Sequence, residues 1–154
     1  MNTDLKELNP EVEEIKLPVE VITDQVHNTT LCHIVRANYS PQTTEFFTPN
    51  SYSQQLGIIK YNKNESIKPH YHNVVKREVL LTQEVLFIRK GRVKVNLYDK
   101  DLHFVTSRIL LQGDTILLAS GGHGFEMMED SEMLEVKQGP YSGHAADKTI
   151  FEGV

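Results

Sequence analysis

Residues 79–120 have the sequence VLLTQEVLFIRKGRVKVNLYDKDLHFVTSRILLQGDTILLAS. Short runs rich in Val, Ile, Leu, Phe and Tyr alternate here with Gly- and Asp-containing turns, a pattern typical of successive β-strands. Val93, Val95 and Leu97 alternate with mostly polar residues, which predicts a strand with one buried face. No run of ten or more residues shows the 3.6-residue apolar spacing of an amphipathic helix.

The same pattern extends outward from this stretch. Strands are predicted at residues 19–23, 30–36, 55–62, 79–90, 92–99, 103–111, 115–120, 124–129 and 133–138, with a short edge strand around Phe46 and Phe47. Many short strands without helices between them predict an all-β antiparallel sandwich or barrel. We expect residues 1–54 to form an N-terminal arm with accessory strands, beginning with a loose arm or short helix of about 16 residues. Residues 55–154 would form the barrel and a C-terminal tail, within a single domain overall.

The composition fits one ordinary globular domain, with 154 residues, 39% hydrophobic and 24% charged. A net charge of -5, with basic residues spread among acidic ones, argues against nucleic acid or an anionic membrane as partner. No run approaches the roughly 18 apolar residues of a membrane span, and the acidic N-terminus lacks the pattern of a secretory signal. We therefore expect a cytoplasmic protein, and the single cysteine, Cys32, predicts a small buried residue without a disulfide.

Two histidines and a glutamate form the first candidate site. On a strand, His70 and His72 of the motif PHYHN would point to the same face, where their ring nitrogens can converge on one ion. Glu84 follows in a strongly apolar run, with Leu86 and Ile88 on its own side. An ionised carboxylate among such neighbours needs a cation or strong donors. The alternatives for Glu84 are a salt bridge to Lys or Arg, or a position on a polar strand face.

His123, in the motif ASGGHGF, supplies a further candidate ligand. The two preceding glycines allow the backbone to approach whatever His123 faces. The alternative is an ordinary core histidine, since Phe125 and Met127 share its side of the strand. Three imidazoles and one carboxylate suit Fe, Mn, Zn, Ni or Co better than calcium. Four such ligands on an octahedral ion leave two positions open for substrate.

These motifs resemble the two sequence motifs of the cupin superfamily. The first motif is matched by Gly57, His70-Tyr71-His72, Glu84 and Gly91, and the second by Gly113-Asp114, TILLASGG and His123. The resemblance covers residues 55–138 and implies a double-stranded β-helix, the jelly-roll or cupin barrel. It also implies one divalent transition metal ion held by His70, His72, Glu84 and His123, and a homodimer.

Two departures from the cupin pattern bear on the ligand set. The gap between His72 and Glu84 is longer than usual, so Glu78 competes with Glu84 as the acidic ligand. The second motif has Ser-Gly-Gly where a Pro is usual.

Polar residues of the last predicted strand could complete the site. Glu135 and Lys137 share one face and Leu134 and Val136 the other, and the sequence favours the apolar face as the inward one. The opposite arrangement would put an acid–base pair near the metal. Tyr141 follows in the tail, where it would contact substrate or belong to a structural cap. His27, His33 and His103 lack a partner at ligand spacing and are expected to be ordinary polar residues.

The motifs LASGGHGFE and EVKQGPYSG resemble, more loosely, small bacterial cupins of surface-polysaccharide and sugar pathways. The resemblance implies a metal-dependent enzyme acting on a carbohydrate or other polar small molecule, of the isomerase, epimerase or oxygenase type. Glu135, Lys137 and Tyr141 are its expected catalytic residues. A non-catalytic module that binds a sugar or another small ligand through the metal, or a structural role as in storage cupins, remains an alternative, because a fold alone does not decide function.

Overall fold

The structure, a computed structural model, describes residues 17–141 and 143–154. The arm or helix expected in the first 16 residues therefore lies outside the described residues. Within them, ten strands and one short helix follow in chain order: β1 Val19–Asp24, β2 Thr29–Val35, β3 Glu45–Phe46, β4 Gly57–Ile58, β5 Glu84–Lys90, β6 Arg92–Tyr98, β7 Phe104–Leu111, β8 Thr115–Leu118, β9 Gly122–Met127, β10 Glu132–Lys137 and α1 His144–Asp147. No helix of this described part is long and apolar enough to cross a membrane.

The strands form three antiparallel sheets, and the prediction of an all-β protein is confirmed. The largest has the order β1-β2-β8-β5-β10, the second has the order β7-β6-β9, and β3 pairs with β4. Strands β1 and β2, which we assigned to the N-terminal part, join the same sheet as the later strands through the pairing of β2 with β8.

The inner faces of the two larger sheets supply one hydrophobic core. Its buried side chains are Ile22, Leu31, Cys32, Ile34, Leu86, Ile88, Val93, Val95, Leu97, Leu110, Ile116 and Leu118. Val93, Val95 and Leu97 are at most 1% exposed, as the alternation along β6 predicts. The thiol of Cys32 is fully buried, and burial raises its pKa to about 12, so it is a packing residue rather than a nucleophile.

Buried ion pairs join one edge of the five-stranded sheet to one edge of the three-stranded sheet. Arg36, just after β2, donates to Glu20 of β1 at 3.1 Å and to Asp114 at 2.9 Å. It also donates to the carbonyl oxygen of Ile109 in β7 at 2.8 Å. Arg108 of β7 donates to the second carboxylate oxygen of Glu20. The β1 and β7 edges are thus tied by a network that satisfies both acids.

The opposite edges of these sheets, β9 and β10, are joined by the chain itself. A tight turn at residues 128–131 leads from one strand to the other. The turn between β5 and β6 packs against it. Gly91 in that turn has a φ of 86°, and a side chain at this position would collide with Ser131. The close approach of Ser131 and the positive φ explain why the motif has a glycine at position 91.

A long segment between β4 and β5 stands apart from the sheets. Residues 59–82, which we call the exposed arm, contain no strand or helix, and every one of them is exposed. The strands predicted at 55–62 and 79–90 are confirmed only at Gly57–Ile58 and Glu84–Lys90. Apolar content alone did not make Val79, Leu80 and Leu81 a strand, because a strand also needs a neighbour to pair with.

Candidate functional site

Glu84 and His123 meet between the two larger sheets. Glu84 opens β5 on the same side as the core residues Leu86 and Ile88, and His123 lies on β9 of the other sheet. His123 Nε2 is 3.2 Å from Glu84 Oε2, with side chains 31% and 15% exposed. Glu84 is half-buried, and its partners are the predicted fellow ligand His123 and the cation Lys137, which was the alternative of a salt bridge to a lysine.

The charges around Glu84 keep it ionised. A hydrogen bond from His123 is the main reason that the pKa of Glu84 lies below its usual value, and the charge of Lys137 adds to it against the effect of burial. Lys137 Nζ lies 4.0 Å from Glu84, 3.8 Å from Glu135 and 3.5 Å from Asp147. Chiefly through the charge of Glu135, and despite some desolvation, these carboxylates raise the pKa of Lys137. The lysine is thus a firmly protonated cation beside an anionic carboxylate.

The orientation of β10 is the reverse of the one that the sequence favoured. Leu134 and Val136 are 54% and 56% exposed, whereas Lys137 pairs with Glu84 across the strands and faces the site. The register with β5 decides this, because alternation then places Glu135 and Lys137 on the side of Glu84. Three carboxylates compensate the inward ammonium group, so charge pairing outweighs the apolar preference of the two outward residues.

A cavity of about 1010 Å³ opens at this pair. Its polar lining includes Glu84, His123 and Glu126, and its apolar lining includes Phe125 and Phe151. The volume matches the upper range of small-molecule sites, and the mixed lining suits a ligand with both polar and apolar faces.

The last residues of the sequence close one wall of the cavity. The backbone N–H of Val154 donates to the Tyr98 hydroxyl oxygen at 3.1 Å, and the Phe151 ring meets the Tyr98 ring edge-on at 5.1 Å. Asn96 of β6 donates to Glu126 at 2.7 Å and fixes that carboxylate at the wall. The tail therefore shapes the cavity. Tyr141, predicted to be catalytic, is 64% exposed and lies with its ring centroid 5.6 Å from Lys137 Nζ.

His70 and His72 lie on the exposed arm, with ring centroids 5.3 Å apart. His70 Nδ1 is 2.9 Å from the carbonyl oxygen of Lys68. Within residues 17–141 and 143–154, the ligand atoms of these histidines are not gathered within 4.8 Å of both Glu84 and His123. The structure thus brings two of the four predicted ligands together, and it places the other two, with Glu78, on the arm.

A second cluster of ionisable groups joins two strand-connecting turns. His27 Nδ1 lies 2.5 Å from Asp24 Oδ2 and 4.0 Å from Asp99 Oδ2, and His27 Nε2 lies 3.0 Å from Asp101 Oδ2. His103 Nδ1 lies 3.3 Å from Asp99. The sequence expectation that His27 and His103 lack partners is wrong, because both imidazoles contact carboxylates here. The signal that could have found this cluster is an Asp at the end of a strand followed three or four residues later by a His, which occurs in both turns.

The geometry of this cluster fits an electrostatic clasp better than a metal centre. Asp24 accepts the backbone N–H of Val26 at 2.8 Å, and Asp99 accepts those of Asp101 and His103 at 2.8 and 2.9 Å. Burial raises the pKa of both Asp24 and Asp99, but these donors and the neighbouring histidines together hold each pKa below its usual value. Both oxygens of Asp24 and the Oδ1 of Asp99 accept turn N–H groups, and the Oδ2 of Asp99 faces the imidazoles of His27 and His103, so the cluster ties the β1–β2 turn to the β6–β7 turn.

No family model, curated protein or solved structure matches this chain. The chemistry of the Glu84–His123 pair and its surroundings is therefore the basis for a functional proposal.

Proposed function

We propose that the chain is a cupin-type jelly-roll protein that holds one divalent transition metal ion and acts on a carbohydrate or other small polar molecule in the cytoplasm. The proposed ligands are His70, His72, Glu84 and His123. The observation that carries the proposal is the Glu84–His123 pair, contributed by two different sheets and facing a cavity. The sequence motifs that contain these residues support the same site.

The chemistry of the pair fits a metal ion. Two ligands that each lie about 2.1 Å from an ion and subtend a right angle are about 3.0 Å apart, close to the 3.2 Å between Glu84 Oε2 and His123 Nε2. The pKa of Glu84 is lowered chiefly by the hydrogen bond from His123, and a metal ion between the two groups would take the place of that hydrogen bond. Nitrogen and oxygen donors together suit Fe, Mn, Zn, Ni or Co.

His70 has the outer contact that metal-binding histidines usually have. Donation from its Nδ1–H to the Lys68 carbonyl fixes the tautomer and leaves Nε2 available. The exposed arm leads directly into Glu84, and Val79, Leu80 and Leu81 at its base already line the cavity. Movement of the arm toward the cavity would add both histidines to the pair.

A metal ion bound here would polarise a substrate carbonyl or hydroxyl oxygen. Lys137, held as an ammonium ion by its carboxylate neighbours, would orient an anionic or carbonyl oxygen of the substrate. Glu135 lies 3.8 Å from Lys137 Nζ and outside the residues that line the cavity; for a substrate that reaches Lys137, it would take a proton from the carbon next to that carbonyl, as an isomerase or epimerase requires. Tyr141, whose ring lies 5.6 Å from Lys137 Nζ, would contact a substrate that reaches the lysine.

A second candidate is a metal-dependent module that binds a sugar or another small ligand without turnover. The raised pKa of Lys137 favours it, because an ammonium ion that keeps its proton binds oxygen well but transfers protons poorly.

Elemental analysis of purified protein tests the metal site. We expect about one transition metal ion per chain, and metal contents near background for Glu84→Gln and for His123→Ala. Glu78→Gln is the matched control and should keep its metal; the reverse result for the two glutamates would make Glu78 the ligand. Unchanged metal content in both Glu84→Gln and His123→Ala would refute the site.

Turnover separates the two functions. Metal-replete protein is incubated with a panel of sugars and keto acids, while oxygen consumption and solvent-deuterium exchange are followed. Exchange or oxygen uptake that disappears in Glu135→Gln supports the enzyme. Saturable ligand binding without either signal would overturn the enzyme proposal in favour of the binding module.

A further inference from the structure

The cavity beside the Glu84–His123 pair lies at one end of the two larger sheets. Glu84 opens β5 and pairs with Lys137, the last residue of β10, while Gly122 opens β9 and pairs with Tyr98, the last residue of β6. The segments that leave these strand ends therefore surround the cavity: the base of the exposed arm, the β6–β7 turn and the tail after β10. Part of the cavity wall is thus built from connecting segments rather than from strands.

Each of these three segments contributes large, exposed apolar side chains to the cavity lining. Leu80 and Leu81 of the arm are 85% and 60% exposed, Ile150 of the tail is 78% exposed, and Leu102 of the turn is 50% exposed. Soluble proteins rarely gather large exposed apolar side chains in one place unless another molecule covers them. These four residues, which we call the apolar rim, therefore indicate that the ligand of the cavity has an apolar part.

The backbone at Leu102 supports this interpretation. Its φ of 68° lies in the left-handed region, which bulky residues rarely adopt. The N–H of Leu102 donates to the carbonyl oxygen of Asp99 at 3.1 Å, so Leu102 ends a tight hairpin turn at a position where glycine is the usual residue. A leucine that is half exposed gains little from core packing, so its cost in backbone energy points to a role for the side chain at the cavity.

The size of the cavity agrees with a ligand larger than one sugar ring. Its volume of about 1010 Å³ lies at the upper end of the range for drug-sized ligands, so a single sugar ring would leave much of it empty. Movement of His70 and His72 toward the Glu84–His123 pair would leave the apolar rim in place, because the leucines at the base of the arm are only three and four residues before Glu84.

We propose that the ligand of this cavity is an amphiphile, with a hydroxylated, sugar-like head group at the Glu84–His123 pair and an attached apolar chain that packs on the apolar rim. This names the substrate class of the proposed function, and its polar half rests on that function. Removing the chain from water supplies binding free energy that a bare sugar cannot obtain.

Isothermal titration calorimetry with matched methyl and octyl glycosides of glucose, galactose and mannose tests the apolar chain. Metal-replete protein is used, and every ligand is kept below the critical micelle concentration of the octyl compounds. One buried methylene contributes about fourfold in affinity. Burial of only two methylenes would therefore make one or more octyl glycosides bind at least about tenfold more tightly than their methyl partners. The tighter binding should be accompanied by a more negative heat-capacity change.

Substitutions in the apolar rim test where the chain binds. Leu80→Ser and Ile150→Ser should each reduce the octyl-to-methyl affinity ratio at least about threefold. Leu134→Ser is the matched control, because this exposed leucine lies on β10 outside the cavity lining, and it should keep the ratio. Leu102→Gly should reduce the ratio and yet raise the melting temperature, since glycine adopts a positive φ without steric cost. A merely structural Leu102 would give the opposite result, a lower melting temperature and an unchanged ratio.

Octyl glycosides that bind no more tightly than their methyl partners, for all three sugars, would overturn the proposal. So would a ratio that is unchanged in all three rim variants, or one that Leu134→Ser lowers equally. Elemental analysis of the same samples distinguishes the two proposals. Bound metal without the octyl preference refutes only the amphiphile, and the octyl preference in a chain without bound metal refutes only the metal site.

Discussion

Replacing Arg36 with Met is expected to destabilise the fold more than any surface change. The guanidinium group is 5% exposed and donates to Asp114, to Glu20 and to the carbonyl oxygen of Ile109. After the substitution Glu20 keeps Arg108 as its partner. Asp114 keeps backbone N–H donors but loses its only cationic contact among the described residues. The variant thus leaves one buried carboxylate, that of Asp114, without a compensating charge and one partly buried carbonyl, that of Ile109, without the hydrogen bond from Arg36.

The expected loss of unfolding free energy follows from the unpaired Asp114 carboxylate. Removing one partner of a buried ion pair costs about 3–5 kcal/mol, a large share of the roughly 5–15 kcal/mol that stabilises a typical domain. Urea unfolding followed by circular dichroism measures it. With a denaturant slope of about 2 kcal/mol/M, the midpoint should fall by about 2 M.

Arg89→Met is the matched control. Arg89 contacts Glu132 at 2.8 Å, but the two side chains are 58% and 56% exposed, so its loss should cost less than about 1 kcal/mol. Adding Asp114→Asn to Arg36→Met should restore part of the loss, because it removes the uncompensated charge. A cost for Arg36→Met no larger than that of Arg89→Met would refute the reasoning.

Three further perturbations test local features. His33→Phe should raise the melting temperature, because both buried ring nitrogens of His33 lack a hydrogen-bond partner among the described residues. Burial lowers the pKa of His33, so the wild-type chain should lose stability as pH falls below about 6.5, and His33→Phe should lose less. Asp24→Asn should destabilise the chain at pH 7, because a carboxylate whose pKa is lowered on folding contributes stability where it is ionised. The difference in unfolding free energy between wild type and Asp24→Asn should shrink below about pH 4. His27→Gln should show a similar loss at pH 7. Gly121→Ala should cost about 1–2 kcal/mol or more in thermal unfolding, since φ is 72° and a Cβ would lie 2.3 Å from a carbonyl oxygen, whereas Gly124→Ala, with open space at its Cβ, should cost less.

The sequence predicted most of the strands of the two larger sheets, and it marked two residues, Glu84 and His123, that the structure brings into contact. Alternation identified the buried faces of β5 and β6, because the two-residue period directly reports which side of a strand is buried. It also marked Glu84 as a carboxylate that needs a partner, and His123 is beside it. The alternation and the need of Glu84 for a partner are local in the chain, so residue order was enough to predict them, whereas the contact with His123 joins two sheets.

Features that depend on pairing across the chain were beyond the sequence. The inward position of Lys137 follows from a register with β5 and from three carboxylates, one of which lies on α1. The clasp around His27 unites two turns more than seventy residues apart. In the exposed arm, strand-forming residues such as Val79 and Leu80 have no strand beside them among the described residues, which composition cannot reveal.

The position of β8 between β2 and β5 has a consequence for how the chain acquires its structure. Cys32 of β2 pairs with Leu118, more than eighty residues later. The β1–β2 hairpin can form locally, but its other edge stays open until β8 has been synthesised and has found it. Because proteins dominated by such non-local strand pairings fold in about milliseconds to seconds, we expect folding on that timescale. Until β8 pairs with it, we expect the open edge of β2 to be available for pairing with another nascent chain during synthesis on the ribosome.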